Sequence, residues 1–289
     1  MVKKPVEKQN KPTITIAAEE ADQPEVAPAS TQGARVDMKP SVILVGADKG
    51  GVGKTTIARA VLDYLNTNNV VTRGFDTEFP RGTLHRFHPD QTSVIDLTST
   101  SDQMRVLDTL NTTQVKVTVI DVRAGGLSLA LQALEDTGFL DAVHAGEFNF
   151  LIFHVLGSSI ASLDEIDEIA PFVSDAHYFL VKNHVNDTTF FEWDPVTHGK
   201  YFEKVMTSGE LTIPKLNEMS YEQVEIAGVP FSTFVADRTA EGAPAGQSFV
   251  LRGYVRTWLG RIAEEFDRVQ LLGLVAPRDS KAAKAAKER

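Results

Sequence analysis

Ser41–Thr56, SVILVGADKGGVGKTT, decides how the rest of the chain is read. Val42, Ile43, Leu44 and Val45 form a short apolar run, rich in β-branched residues, of the kind buried on both faces of a parallel sheet. Asp48–Thr56 then supplies three glycines, two lysines and two threonines before a helical pattern starts at Ile57. A strand, a glycine-rich turn and a helix start together form a phosphate-binding loop. Small residues let successive N–H groups converge on phosphate oxygens, the helix N-terminus adds positive potential, and Lys54 adds a full charge. Gly53-Lys54-Thr55 fits the end of the usual G-x-x-x-x-G-K-[ST] pattern, whereas Asp48 occupies the position of its first glycine.

The loop Lys49-Gly50-Gly51-Val52-Gly53-Lys54-Thr55-Thr56 resembles the deviant Walker A loop of the ParA/MinD class, in which that first glycine is not required. The defining extra lysine of the class falls on Lys49. The resemblance spans residues 41–272 and implies a P-loop NTPase that binds ATP and Mg²⁺. In that class two ATP-bound subunits form a homodimer, and the extra lysine of one reaches the phosphates of the other. Several relatives with this loop hold or transfer an iron–sulfur cluster, or bind arsenic, through cysteine. The chain has no cysteine and so lacks the ligands for that chemistry.

Composition sets the remaining bounds. The 289 residues are 42% hydrophobic and 24% charged, which is ordinary globular composition. No run approaches the ~18 consecutive apolar residues that span a bilayer, and the first twenty residues lack the apolar centre of a secretory signal. A cytoplasmic location is expected. Residues 1–40, with six basic and six acidic side chains, read as a disordered arm, and 277–289 as a basic disordered tail. The domain between them, 41–276, carries a net charge of −13.

Within that domain strand and helix periods alternate. Strands are expected at Val70–Phe75, Ser93–Leu97, Val115–Ile120, Phe148–Leu156, His177–Val181 and Leu211–Ile213. Helices are expected at Thr55–Leu65, Ser101–Leu110, Leu127–Val143, Ser162–Val173, Tyr221–Ala227 and Ser248–Leu272, with 187–207 mostly helical. Such alternation predicts one α/β domain: a doubly wound, mainly parallel sheet flanked by helices, with its ligand at the carboxyl ends of the strands.

Polar residues stand at those ends. Asp76-Thr77-Glu78-Phe79-Pro80 resembles the switch I segment of the ParA/MinD class, which carries two acids two apart. Asp76 matches the first and Glu78 the second, the one that orients the hydrolytic water near the γ-phosphate in that class, and hydrolysis is expected to be assisted by Glu78 or Asp76. Glu78 stands where the class has aspartate, and Phe79 is inserted before the proline. Both changes are expected to slow hydrolysis, since a displacement of ~1 Å can cost about 100-fold. The run Val115–Asp121 looks like a Walker B strand. Its terminal Asp121 is expected to hold Mg²⁺ through a water while the Thr55 hydroxyl binds the ion directly. Arg123 stands where the class often has proline. By the same resemblance Asn183 contacts the adenine base, and Ile213-Pro214-Lys215-Leu216 brings Pro214 close to it. No metal role beyond Mg²⁺ is expected of the seven histidines, although His85 and His88 are three apart.

The long C-terminal helix interleaves Arg252, Arg256 and Arg261 with Phe249, Val250, Tyr254, Trp258 and Ile262. It reads first as a packing helix whose arginines snorkel, ahead of a DNA-binding or membrane face. Glu264, Glu265 and Asp267 oppose an anionic membrane, and no membrane partner is expected. DNA, or a DNA-bound or transfer-machinery protein, is the candidate partner, with the basic tail able to supply charge that the acidic domain lacks. Within the class, Asp76-Thr77-Glu78, the His154-Val155 strand end and Phe190-Phe191-Glu192-Trp193 are similar to the conjugal-transfer ATPases of TraL type and the plasmid-stability StbB proteins. The expected role is an ATP-hydrolysing dimerisation switch in plasmid partition, stability or conjugative transfer. The alternatives are a metabolic P-loop ligase of the dethiobiotin synthetase or cobyrinate amidase type, or a non-hydrolysing nucleotide-dependent scaffold.

Overall fold

The computed structural model describes residues 39–185, 189–203 and 205–276; the arm, apart from its last two residues, and the tail lie outside them. Seven strands form one sheet in the order β3-β2-β4-β1-β5-β6-β7, and every pair is parallel. They are β1 Ser41–Gly46, β2 Thr72–Asp76, β3 Thr92–Val94, β4 Val117–Asp121, β5 Asn149–Leu156, β6 His177–Asn183 and β7 Gly209–Ile213. The order turns back at β1, so the crevice beyond its carboxyl end is where a doubly wound sheet binds its ligand.

Alternate side chains of β1 explain why the run Val42–Val45 is wholly apolar. Ile43 and Val45 join one core, against α1 Lys54–Thr67, α8 Glu218–Ala227, α9 Phe231–Val235, α10 Phe249–Arg268 and α11 Leu271–Val275. Val42 and Leu44 join a second core on the other face. There they pack with α3 Thr100–Leu107, α4 Leu127–Asp136, α5 Phe139–His144, α6 Ile160–Ile169 and α7 Pro195–Phe202. Both faces are covered, as an all-parallel sheet requires.

Two expected helices are broken. The Leu127–Val143 pattern divides at Gly138, whose φ of 76° ends one helix and starts the next. The last helix stops at Arg268, and Gln270, at φ 56°, turns the chain so that Leu271 and Val275 bury completely. Along α10, Val255, Trp258, Ile262 and Phe266 are buried and Arg252 donates to the Val235 carbonyl, the arrangement of a packing helix. No described helix is long and apolar enough to cross a membrane.

Two short helices escape the periodicity, and each is capped by an aspartate from a distant element. Asp76 accepts from Leu84 N (2.6 Å) and His85 N (3.2 Å) at the start of α2 Thr83–Phe87. Asp63, on α1, accepts from Phe231 N (2.9 Å) at the start of α9.

His88 follows α2 and is buried; burial, with the Arg59 charge second, pushes its imidazole down to about 3. The unfolded chain therefore takes up a proton that the folded chain refuses. Stability held above about pH 6.5 is lost as pH falls through that window toward 3, at up to ~1.4 kcal/mol per unit. Asp63 acts in the opposite sense: burial raises it to about 6, so its contribution is largest in acid and is lost as pH rises through 6. The difference between wild type and His88→Gln isolates the histidine. Chemical denaturation at pH 7 and pH 4 should show the variant losing about 2–3 kcal/mol less than wild type over that interval.

Candidate nucleotide site

Gly51 and Gly53, at φ 76° and 90°, give the loop between β1 and α1 its turn. At Gly53 a Cβ would also lie 2.2 Å from Asn183 Nδ2, so any other residue would be strained and would have to displace that side chain. The loop opens into a cleft of about 580 Å³ at the carboxyl ends of the strands. Gly51, Gly53, Lys54, Thr55 and Thr56 form its floor; Asp76, Glu78 and Asp121 stand on one side; Asn183 and Pro214 stand on the other. The remaining expected residues do not line it. Val52 is buried behind the loop, Gly50 is exposed, and Lys49 is exposed with its side chain running past Gly157.

The loop's two lysines thus face different ways. Lys54 is buried and donates to the Lys49 carbonyl (2.9 Å). Burial pushes its ammonium below the usual lysine value, against the opposing charges of Asp121, Glu165, Asp48 and Glu78. The cleft holds a cation amid acids, ready to meet phosphate oxygens.

Asp121 and Asp76 are register partners on β4 and β2. Asp121 is wholly buried, and its carboxyl is pushed up to about 8, chiefly by burial; a hydrogen bond with Thr55 pulls the other way, while Asp76 adds to the rise. Its Oδ1 has no partner among the described residues. A hydroxyl beside a carboxylate with a free oxygen is the hard donor set that suits Mg²⁺, so Thr55 and Asp121 fit the ion. Asp76 is more constrained, since it takes the amides of Glu78 (2.8 Å), Leu84 and His85. Thr83 Oγ1 donates to Glu78 Oε2. Asp76 therefore shapes the segment while Glu78 retains a second carboxylate oxygen.

Asn183 braces the loop, donating to the Val52 carbonyl (2.7 Å). The Pro214 carbonyl accepts from Trp258 Nε1 (2.7 Å), which ties α10 to that wall. Tyr221, also in the cleft, hydrogen-bonds Thr56 and Glu225. Thr83, Tyr221 and Trp258 also line the cleft and were not expected as site residues; Tyr221 and Trp258 come from helices distant in sequence. His85 and His88 are engaged elsewhere, with Thr92 O and Gln91 Nε2. Among the described residues no group of three or more His, Cys, Asp or Glu could hold a metal ion.

Asp48 also has a structural task. Its carboxylate accepts from Leu127 N (2.7 Å) and contacts the Ser128 hydroxyl, capping α4. Restoring the usual glycine, Asp48→Gly, should therefore destabilise the protein by about 2 kcal/mol in urea denaturation, through lost capping and added chain entropy.

No family model matches the chain, and no curated protein sequence matches it. Among solved structures, the septum site-determining protein MinD from Pyrococcus horikoshii OT3, complexed with Mg-ADP, superposes with a TM-score of 0.51 at 14% identity, covering 83% of this chain and all of that one. MinD cell division protein from Aquifex aeolicus gives 0.44 at 15% identity over 76% of this chain and 97% of its own. A plasmid partition protein from Borrelia burgdorferi gives 0.35 at 16% identity, over 65% and 97%. The strand order, the crevice beyond β1 and the Pyrococcus superposition together give this chain the MinD-like P-loop NTPase fold.

Proposed function

We propose that the chain is an ATP-dependent dimerisation switch: two ATP-bound copies pair, Lys49 of each reaches the phosphates of the other, and hydrolysis releases them. The observation that carries this reading is the division of labour within one loop. Lys54 is turned into its own cleft and Lys49 out of it. An outward lysine contributes nothing to its own nucleotide, but it is placed to stabilise charge developing on a nucleotide held by a second copy. Thr55 and Asp121 would hold Mg²⁺, which neutralises phosphate charge when bound, and Glu78 would orient water with its remaining oxygen. Asn183 and Pro214 would border the base. The role in the cell would be plasmid partition, stability or conjugative transfer, with the TraL and StbB proteins as the narrower likeness and DNA or a transfer-machinery protein as partner.

The test is light scattering of the full chain with ADP, ATP or a slowly hydrolysed analogue, alongside phosphate release. A dimer with ATP and a monomer with ADP are expected; a monomer in every state with no turnover would sink the switch. Lys49→Ala should bind nucleotide normally yet turn over at least ~10-fold more slowly. Unchanged turnover would remove Lys49 from the mechanism. Plasmid DNA added at two salt concentrations should reveal ATP-dependent, salt-sensitive binding if DNA is the partner.

A further inference from the structure

Behind the phosphate loop lies a buried polar chain that none of the roles above uses. Tyr178 on β6 and His154 on β5 are wholly buried, and Glu165 on α6 is nearly so. Tyr178 O–H meets His154 Nδ1 at 2.8 Å, and His154 Nε2 meets Glu165 Oε2 at 3.2 Å. The two Glu165 oxygens then reach the loop backbone: Asp48 N donates to Oε2 (2.9 Å) and Lys49 N to Oε1 (2.7 Å).

Burial, with the Glu165 charge second, pushes the Tyr178 phenol well above its ordinary value, so Tyr178 keeps its proton. The neutral His154 tautomer that matches both contacts accepts that proton at Nδ1 and carries its own on Nε2, facing Glu165. The carboxylate is left as a pure acceptor facing two backbone donors, a charge-assisted and bidentate arrangement.

We propose that Glu165 is a positioning residue: a built-in anion that holds the leading amides of the phosphate loop and so aims Lys49 away from its own cleft. The residue is gripped from both sides. Its N–H is held by Glu165, and its carbonyl accepts from Lys54 Nζ (2.9 Å). With both peptide groups fixed, the Cα–Cβ direction is fixed as well, and only the side chain is free to move. That side chain leaves over Gly157, where a Cβ would sit 3.7 Å from Lys49 Cδ. The function assigned to this aim rests on Lys49 acting on a second copy's nucleotide; the grip itself does not.

Substitutions separate charge and reach from mere packing. Glu165→Gln keeps the shape but offers one acceptor oxygen and sets an NH₂ against a backbone N–H. Glu165→Asp keeps the charge but is one methylene too short to meet both amides. Amide hydrogen exchange of the nucleotide-free full chain, read at single residues by NMR, tests the grip directly. In wild type, Asp48 and Lys49 should exchange at least ~100-fold more slowly than an unstructured peptide. Glu165→Gln should bring both within ~10-fold of that limit, while the β1 amides stay protected. Lys49→Ala should leave both protected. Unprotected amides in wild type, a result that needs no variant to fold, overturn the proposal, as does equal protection in wild type and Glu165→Gln.

A kinetic arm tests the aim. Glu165→Gln and Glu165→Asp should each lower kcat about 10- to 100-fold with KM within ~3-fold, the pattern of a misplaced group rather than a lost binding contact. Unchanged kcat alongside lost protection overturns the aiming role. If wild-type protein shows neither an ATP-dependent dimer nor turnover, the dimer switch fails, and exchange at Asp48 and Lys49 alone decides the role of Glu165.

Discussion

Lys54→Ala is expected to weaken Mg-nucleotide binding about 1000-fold while leaving the fold in place. The size follows from what the ammonium would do at the phosphates: two charge-assisted hydrogen bonds at about 1.5–3 kcal/mol each give roughly two to four decades in Kd. Lys54 is also the cation set among Asp121, Glu165, Asp48 and Glu78. Without it those four acids face a polyanion with no cation set among them, and repulsion adds to the lost bonds. The free protein gains a compensating relief, because a buried ammonium is costly to hold, so its melting temperature should move by no more than about 3 °C. Titration with a fluorescent ADP analogue reads the first effect and thermal unfolding the second. Affinity within about tenfold of wild type would mean that the nucleotide does not sit against Lys54 at all.

The second large effect is on stability, at Arg59. This α1 side chain is 1% exposed, with its guanidinium carbon 3.3 Å from the centre of the Phe87 ring and 4.0 Å from that of Phe231. Nη1 donates to Glu225 (2.7 Å), while Nε and Nη2 have no partner among the described residues. The rings and the ion pair favour the buried cation; the two unpaired donors oppose it. Removing the whole side chain opens a cavity between two phenylalanines, and Arg59→Ala should cost about 3–5 kcal/mol. Arg59→Met fills the gap without charge. Glu225 is not stranded by this change, because it is partly exposed and also contacts Arg86. Methionine should therefore stay within about 1.5 kcal/mol of wild type. Urea denaturation of both variants decides between volume and charge: if methionine is as damaging as alanine, the charge carries the site.

The frame of the fold was legible because its signal is local. β1, β4, β5, β6 and β7 are marked by runs of apolar or alternating residues, and α1, α6 and α10 keep one face apolar; β3, at Thr92–Val94, shares only two residues with the strand expected at Ser93–Leu97. The loop residues from Gly51 to Thr56 were legible for the same reason, since turn, charge and helix start are adjacent in the chain. What the sequence hid is held by long-range bonds. The caps of α2, α4 and α9 are Asp76, Asp48 and Asp63, which lie on other elements. Asp48 looked like a vacant glycine position because its partners, Leu127 and Ser128, lie about eighty residues away. Glu165 read only as part of the helix expected at Ser162–Val173, and His154 as part of a strand end. Only the register of β5 and β6 and the packing of α6 bring them behind the loop. The breaks at Gly138 and Gln270 show the converse limit: a continuous apolar period cannot report that the backbone turns in the middle of it.

The edge of the sheet away from the cleft has its own logic. Ser41 Oγ reaches the Val275 carbonyl, Asn149 Nδ2 reaches the Leu274 carbonyl, and Asn149 N takes the Pro40 carbonyl. The first and last described segments are thus fastened side by side at the amino ends of β1 and β5. The six residues of β1 separate this fastening from the phosphate loop by about 20 Å. A tether, fluorophore or surface attached at either described end would leave the mouth of the cleft clear. The molecule can be held by one pole and read at the other.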